Sequence, residues 1–131
     1  VPSIREPFGN VCVEAGFCKT PVLAANVDGI PEIIKDGFSG ELVDPADPIS
    51  VKEVRTGSLP YPSMVIDPET LTIITPRQIN PEILASRVLL LMHNSKKIEK
   101  YAYELNKVVN SNYSINNYVK NLHSIYSNLQ R

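Results

Sequence analysis

Apolar positions along this chain come in short runs, and their spacing changes character several times. Pro2-Ser3-Ile4 reads as the exit from a strand. From about Gly9 to Cys18 the spacing becomes helical. Asn10 and Glu14 share one face, while Val11, Ala15 and Cys18 line another that can be buried. Pro21-Val22-Leu23-Ala24-Ala25 is a compact apolar run of the kind that fills a buried parallel strand. Asn26-Val27-Asp28-Gly29 is a loop, Pro31 opens a short helix to Lys35, and Asp36-Gly37 stops it. Glu41-Leu42-Val43 is a further brief strand. Helix, strand, helix, strand in this order predicts an α/β fold with a parallel sheet.

The rhythm breaks between Asp47-Pro48 and Asn80-Pro81, where Pro60, Pro62, Pro68 and Pro76 fall. Within this stretch Ser63–Ile66 and Leu71–Ile74 flank Asp67-Pro68-Glu69-Thr70. Aspartate then proline is favoured at the first two positions of a type I turn, so a β-hairpin is expected. Tyr61 and Met64 are candidates for packing on a partner. Asn80-Pro81-Glu82 then starts a helix, with an N-cap, a proline at the first position and an acid in the first turn. Ile83, Leu84, Val88, Leu91 and Met92 give it an apolar face, and Val88–Met92 is expected to be helix core. Ser95 is positioned to cap a second helix carrying Ile98, Ala102, Leu105 and Val109. Ser114 is positioned to cap a third, with Ile115, Tyr118, Leu122, Ile125 and Leu129 in one stripe.

Composition narrows the function. With 131 residues the chain is one domain or part of one. A net charge of -1 leaves no basic footprint for nucleic acid, and no nucleic-acid partner is expected. No apolar run approaches the roughly 18–20 residues of a membrane span. Cys12 and Cys18 sit six apart on one helix, too divergent to bridge, and are expected to be buried free thiols of a reducing, cytoplasmic compartment. His93 and His123 have no partner at ligand spacing, so a zinc site has little support.

The candidate chemistry lies in Arg5–Ala15. Glu6 and Pro7 are loop, because the residue before a proline is biased away from the helical region. Gly9 lets a ligand approach the backbone closely. The positive end of a helix, with its unpaired N–H groups, suits a phosphate-bearing ligand. A carboxylate, which only accepts hydrogen bonds, suits the hydroxyls of a sugar or ribose. The combination points to a nucleotide sugar.

Pro2-Ser3 through Glu14-Ala15, Lys19–Val22, Asp28–Glu32, Gly37–Gly40 and Asp44-Pro45 together resemble the retaining glycosyltransferases of the glycogen-synthase and sucrose-phosphate-synthase type, group 1. The resemblance is dense over residues 1–48 and implies the C-terminal, donor-binding part of a two-Rossmann-domain (GT-B) enzyme. On that basis residues 1–131 are a partial Rossmann-like domain, 49–79 an insertion, and 81–131 C-terminal helices. The resemblance makes Glu6 catalytic, supporting an oxocarbenium-like state beside the donor sugar. It makes Phe8, Gly9, Asn10, Val11 and Glu14 donor-binding, with Glu14 on the ribose. The donor is a nucleotide diphosphate sugar, no metal is required, and no cofactor is expected beyond this donor substrate. An N-terminal acceptor domain and a basic Arg/Lys pair for the pyrophosphate are implied elsewhere in the intact enzyme, so this chain alone is expected to be inactive. The last helix is expected to pack on that domain or to self-associate, and the intact enzyme to be cytoplasmic or peripheral to a membrane. Two departures stand out: Asp28 replaces the first glycine of a Gly-Gly-Ile-Pro-Glu motif, and Lys19 stands where a helix-ending glycine is usual. Glu32 is expected to brace the loop. The reading from another class is a nucleotide-sugar-binding or assembly module without chemistry. An unrelated Rossmann enzyme is disfavoured because no Gly-x-Gly-x-x-Gly turn is present.

Overall fold

The computed structural model describes residues 1–49 and 62–129; Tyr61, offered above as a partner contact, lies outside them. The elements are α1 (Asn10–Phe17), β1 (Leu23–Ala25), α2 (Ile30–Ile33), β2 (Glu41–Val43), β3 (Asp47–Pro48), β4 (Val65–Ile66), β5 (Ile73–Ile74), β6 (Arg77–Gln78), α3 (Pro81–Met92), α4 (Ser95–Asn112) and α5 (Ile115–Leu129). Strands β1 and β2 pair in parallel, Leu23 opposite Glu41 and Ala25 opposite Val43. Val1 flanks β1 on the other side: its nitrogen donates to Leu23 O at 2.7 Å, and its carbonyl accepts from Ala25 N–H at 2.9 Å. That alternation is the bonding pattern of a parallel neighbour. The α/β class is therefore as expected, and the loop carrying Glu6 leaves the same sheet edge as the turn after β1.

The core lies between this sheet and the helices, with Ala24, Ala25, Ile30, Ile33 and Ile34 fully enclosed beside Leu105 and Val109 of α4. Here α1 departs from expectation. Its inward residues are Cys12, Val13 and Gly16, whereas Val11 is 53% exposed and Cys18 lies at the surface. Gly16 explains the rotation. A Cβ on it would sit 2.7 Å from Val109 Cγ1 and 3.0 Å from Leu105 Cγ. The helix thus turns its glycine, and not its larger apolar side chains, toward α4. Asn106 seals the contact by donating from Nδ2 to Gly16 O at 2.9 Å.

The helix ends in a Schellman arrangement, Thr20 N–H to Ala15 O at 2.8 Å and Lys19 N–H to Gly16 O at 3.1 Å. Lys19 accordingly takes a left-handed conformation, φ 55°. A side chain there costs about 1 kcal/mol relative to glycine. Lys19→Gly is therefore expected to stabilise the fold by about that amount, seen as a raised midpoint in urea; an unchanged midpoint would contradict the assignment of strain.

The hairpin forms as expected, with Val65 opposite Ile74 and Ile66 opposite Ile73. Its turn is longer than a simple type I turn. Leu71 N–H reaches Asp67 O at 2.9 Å, and Leu71 is left-handed at φ 54°. Such a conformation costs a branched apolar residue on the order of 1 kcal/mol, whereas asparagine or glycine tolerates it. Asp67 Oδ1 takes the N–H groups of Glu69 and Thr70, both at 2.9 Å, which holds its carboxyl below the usual range.

Asn80 caps α3 as expected, accepting from Glu82 and Ile83 N–H. The cap of α4 is Asn94, not Ser95: its side chain accepts from Lys97 N–H at 3.0 Å, and Ser95 becomes the first helical residue. The buried stripe of α4 is Tyr101, Leu105 and Val109, with Ile98 and Ala102 at its margin. Most of the expected core at Val88–Met92 is at the surface instead, with Leu90 69% and Met92 67% exposed and only Leu91 half-buried. The reason is how α3 is held. Its Arg87 and Lys97 of α4 both pair with the buried Glu41 of β2, at 3.1 and 2.9 Å. That anchor needs one side of the helix only, and no described element covers the other. Glu41 also keeps the Lys97 pKa raised. The apolar side of α5, including Ile115, Tyr118, Ile125 and Leu129, is likewise exposed. No described helix is long and apolar enough to cross a membrane.

Candidate functional site

Polar groups of the loop itself shape the segment before α1. Glu6 Oε1 accepts the Gly9 N–H at 3.1 Å. Its backbone carbonyl accepts the Gly29 N–H at 3.2 Å, and its own N–H donates to Asp28 Oδ2 at 2.9 Å. Glu6 is thus held from three directions and remains half-buried. One oxygen of the carboxylate serves the turn, which leaves the other for a ligand.

Gly9 is buried and sits at φ 96°, a conformation that side chains rarely adopt. A Cβ there would also approach Ile33 Cδ1 to 3.1 Å. With the Gly9 N–H taken by Glu6, and Cys12 and Val13 N–H returning to Gly9 O, Asn10 and Val11 stand at the first two helical positions, where no preceding turn supplies an acceptor. Both residues are exposed. Glu14 follows one turn later on the Asn10 side and is also exposed. The structure therefore brings Glu6, Gly9, Asn10 and Val11 to one turn, with Glu14 along the same helix. Phe8 takes a different part: its ring meets Tyr113 edge-on, centroids 5.6 Å apart at 75°. It anchors the loop to the end of α4. Burial, and secondarily Glu32, pushes the Tyr113 hydroxyl pKa up.

Asp28 is the residue that sequence reasoning undervalued. It adopts φ 46°, so it fills a glycine-type position without being glycine. Its carboxylate then does what glycine cannot. Oδ2 holds Glu6 N–H at 2.9 Å, Oδ1 holds Ile66 N–H at 2.7 Å, and its own N–H reaches Ile66 O at 3.3 Å. One side chain clamps the Glu6 loop to the hairpin. Glu32, by contrast, is exposed and makes no side-chain hydrogen bond among the described residues, so the bracing expected of it falls to Asp28. The only available signal was the departure from glycine.

Between this loop, α2 and the hairpin lies a cleft of about 610 Å³. Arg5, Glu32 and Lys35 line one side, and Met64, Leu71 and Ile73 the other. Burial pushes the Cys12 thiol pKa up, which keeps it protonated near neutrality and disfavours it as a nucleophile. Among the described residues no cluster of three His, Cys, Asp or Glu is placed to hold a metal ion.

Comparison with known proteins agrees with the motif order. The family model for glycosyl transferases group 1 matches residues 1–55. A D-inositol 3-phosphate glycosyltransferase of Mycolicibacterium vanbaalenii is 58% identical over 48 residues, covering 37% of this chain and 11% of that protein. The Thermobifida fusca enzyme of the same name is 54% identical over 48 residues, with the same coverage. The match thus spans about a tenth of these relatives. Among solved structures, Anabaena HepE in complex with UDP-glucose superposes with a TM-score of 0.67 at 20% identity, covering 97% of this chain and 26% of HepE. The C-terminal domain of a group 1 glycosyl transferase, LpcC of Francisella tularensis, gives a TM-score of 0.56 at 24% identity, covering 87% and 42%. Both likenesses are of fold, and the fold is that of the GT-B enzymes.

Proposed function

We propose that this chain, whose residues 1–55 belong to the group 1 glycosyltransferases, forms the donor side of an enzyme that moves a sugar from a nucleotide diphosphate sugar to an acceptor hydroxyl with retention of configuration. The observation that carries the reading is the turn at Gly9. Its left-handed glycine is tied to the Glu6 carboxylate, and the Asn10 and Val11 N–H groups follow at the positive end of α1. In this reading the two N–H groups meet phosphate oxygens of the donor. Glu14 accepts from the ribose hydroxyls. The free oxygen of Glu6 faces the donor sugar and stabilises positive charge developing at its reacting carbon. The leaving phosphate serves as base on the same face, and neither a metal nor a second carboxylate is used. The acceptor and the basic groups for the pyrophosphate belong to other parts of the enzyme. The exposed apolar stripe of α5 supports a role in packing on such a part, or on a second copy.

HepE binds UDP-glucose, which makes uridine diphosphate sugars the first donors to test. Calorimetric titration is expected to show binding that Glu14→Ala weakens by about 1–3 kcal/mol, the effect of a lost hydrogen bond to a charged group. Equal affinity in the two proteins would remove Glu14 from the site. The competing module without chemistry predicts the same nucleotide-sugar binding but no sugar transfer. A transfer assay on the full-length enzyme with UDP-glucose and an acceptor separates the two readings.

A further inference from the structure

The cleft beside the Glu6 loop has two unlike walls, and we infer that it binds a neutral amphiphile: a polyhydroxylated head joined to an alkyl or aryl body. The binding does not depend on reading the chain as the donor side of a glycosyltransferase, whose acceptor is held by another part of the enzyme.

The size fits, since about 610 Å³ lies within the usual range for small-molecule sites. The polar wall carries Arg5 and Lys35 against Asp28 and Glu32, so its charges balance and give an anion no advantage. Asp28 already spends its oxygens on Glu6 and Ile66 N–H, and Lys35 Nζ donates to Pro31 O at 2.8 Å. Arg5 and Glu32, exposed in the lining and without a side-chain hydrogen bond among the described residues, remain as a donor and an acceptor for hydroxyl groups.

The opposite wall is the hairpin. A two-stranded ribbon normally turns polar residues to water, yet Leu71 is 79%, Ile73 70% and Met64 48% exposed. Leu71 also holds a left-handed backbone that asparagine would adopt without strain. A large apolar side chain kept at a strained position, on the lip of a cleft and uncovered by the described residues, offers contact area to a ligand. With hydroxyl-binding groups facing it, the matching occupant has a polar head and an apolar body.

Hexyl β-D-glucoside below its micelle concentration is the probe, titrated against the full chain by NMR, with glucose and hexanol as controls. Binding is expected to be at least tenfold tighter than for either control, with shifts on both walls. Leu71→Asn relieves the backbone and so preserves the hairpin, and it is expected to weaken the glucoside about tenfold, the factor for burying much of a leucine side chain. Ile73→Thr keeps a strand-forming residue and is expected to act in the same direction. UDP-glucose affinity is expected to be unchanged in both variants, which separates this cleft from the donor turn. The proposal is overturned by no glucoside binding to the folded chain, by equal binding of glucose, or by an unaffected Leu71→Asn. It is also overturned by a concentration-dependent dimer that Leu71→Asn abolishes, which would make the hairpin an interface between copies.

Discussion

Alanine at position 29 is expected to destabilise the fold by about 3 kcal/mol, the upper end of the usual range for steric overpacking, because the atoms it meets cannot yield. A Cβ on Gly29 would lie 2.4 Å from Pro7 O and 3.1 Å from Phe8 Cα, so the obstruction is backbone. The backbone of Gly29 is itself ordinary, φ -82° and ψ -7°, and alanine could adopt it without strain. The loss is therefore attributable to contact alone. Gly37→Ala provides the complementary case. Nothing lies within 4 Å of its added Cβ, but φ is 69°. It is expected to cost about 1–2 kcal/mol from left-handed strain only. Urea denaturation of the two variants tests the distinction; a Gly29→Ala protein within 1 kcal/mol of the parent (roughly the scatter of surface substitutions) would mean that the loop moves aside freely. Because the carbonyl involved adjoins Glu6, any such movement would also displace the proposed donor turn.

The second large effect is expected at Asp28. Alanine removes both acceptors from Glu6 and Ile66 N–H and leaves a left-handed residue with nothing to hold it there. Hydrogen bonds to a charged group contribute about 1.5–3 kcal/mol each, and these sit in partly solvated positions, so a total loss of about 2–3 kcal/mol is expected. Asp28→Gly keeps the conformation and loses the clamp, whereas Asp28→Asn keeps one acceptor and tolerates φ above zero. The order of stability should be Asp, Asn, Gly, Ala. Amide exchange sharpens the test: Glu6 and Ile66 N–H should lose protection together in the glycine variant. Protection lost at one and kept at the other would show that the loop and the hairpin are not coupled through this side chain.

Much of residues 1–48 could be read in advance because its information is local. A proline after Glu6, a glycine at the helix start and an apolar run bounded by turn residues each restrict the backbone near themselves. The Asp67-Pro68 turn and the Asn80-Pro81 helix start were legible for the same reason. The inward face of α1 was not, because it is set by Leu105 and Val109, about ninety residues away in sequence, closing on a glycine. Asp28 misled for a related reason. Its partner Ile66 is 38 residues distant, and the bond is to a backbone N–H, which carries no trace in side-chain pattern. The exposure of Val88–Met92 was hidden because apolar periodicity marks a face without naming what covers it.

One small pairing has a larger consequence. Strands β3 and β6 meet at Asp47 opposite Gln78 and Pro48 opposite Arg77, with Arg77 donating to Ala46 O at 2.9 Å and Asn80 Nδ2 to Asp47 Oδ2 at 3.0 Å. The chain on either side of the hairpin thus meets at this one short ladder, and α3 begins just beyond it. Added length between the two strands carries a closure cost that grows by only about 0.6 kcal/mol per doubling and leaves the register of α3 and its anchor on Glu41 in place. Variants with a longer excursion are expected to keep the proposed donor turn intact. Among the described residues, the Asp28–Ile66 bonds and the buried Val65 tie that excursion back to the core.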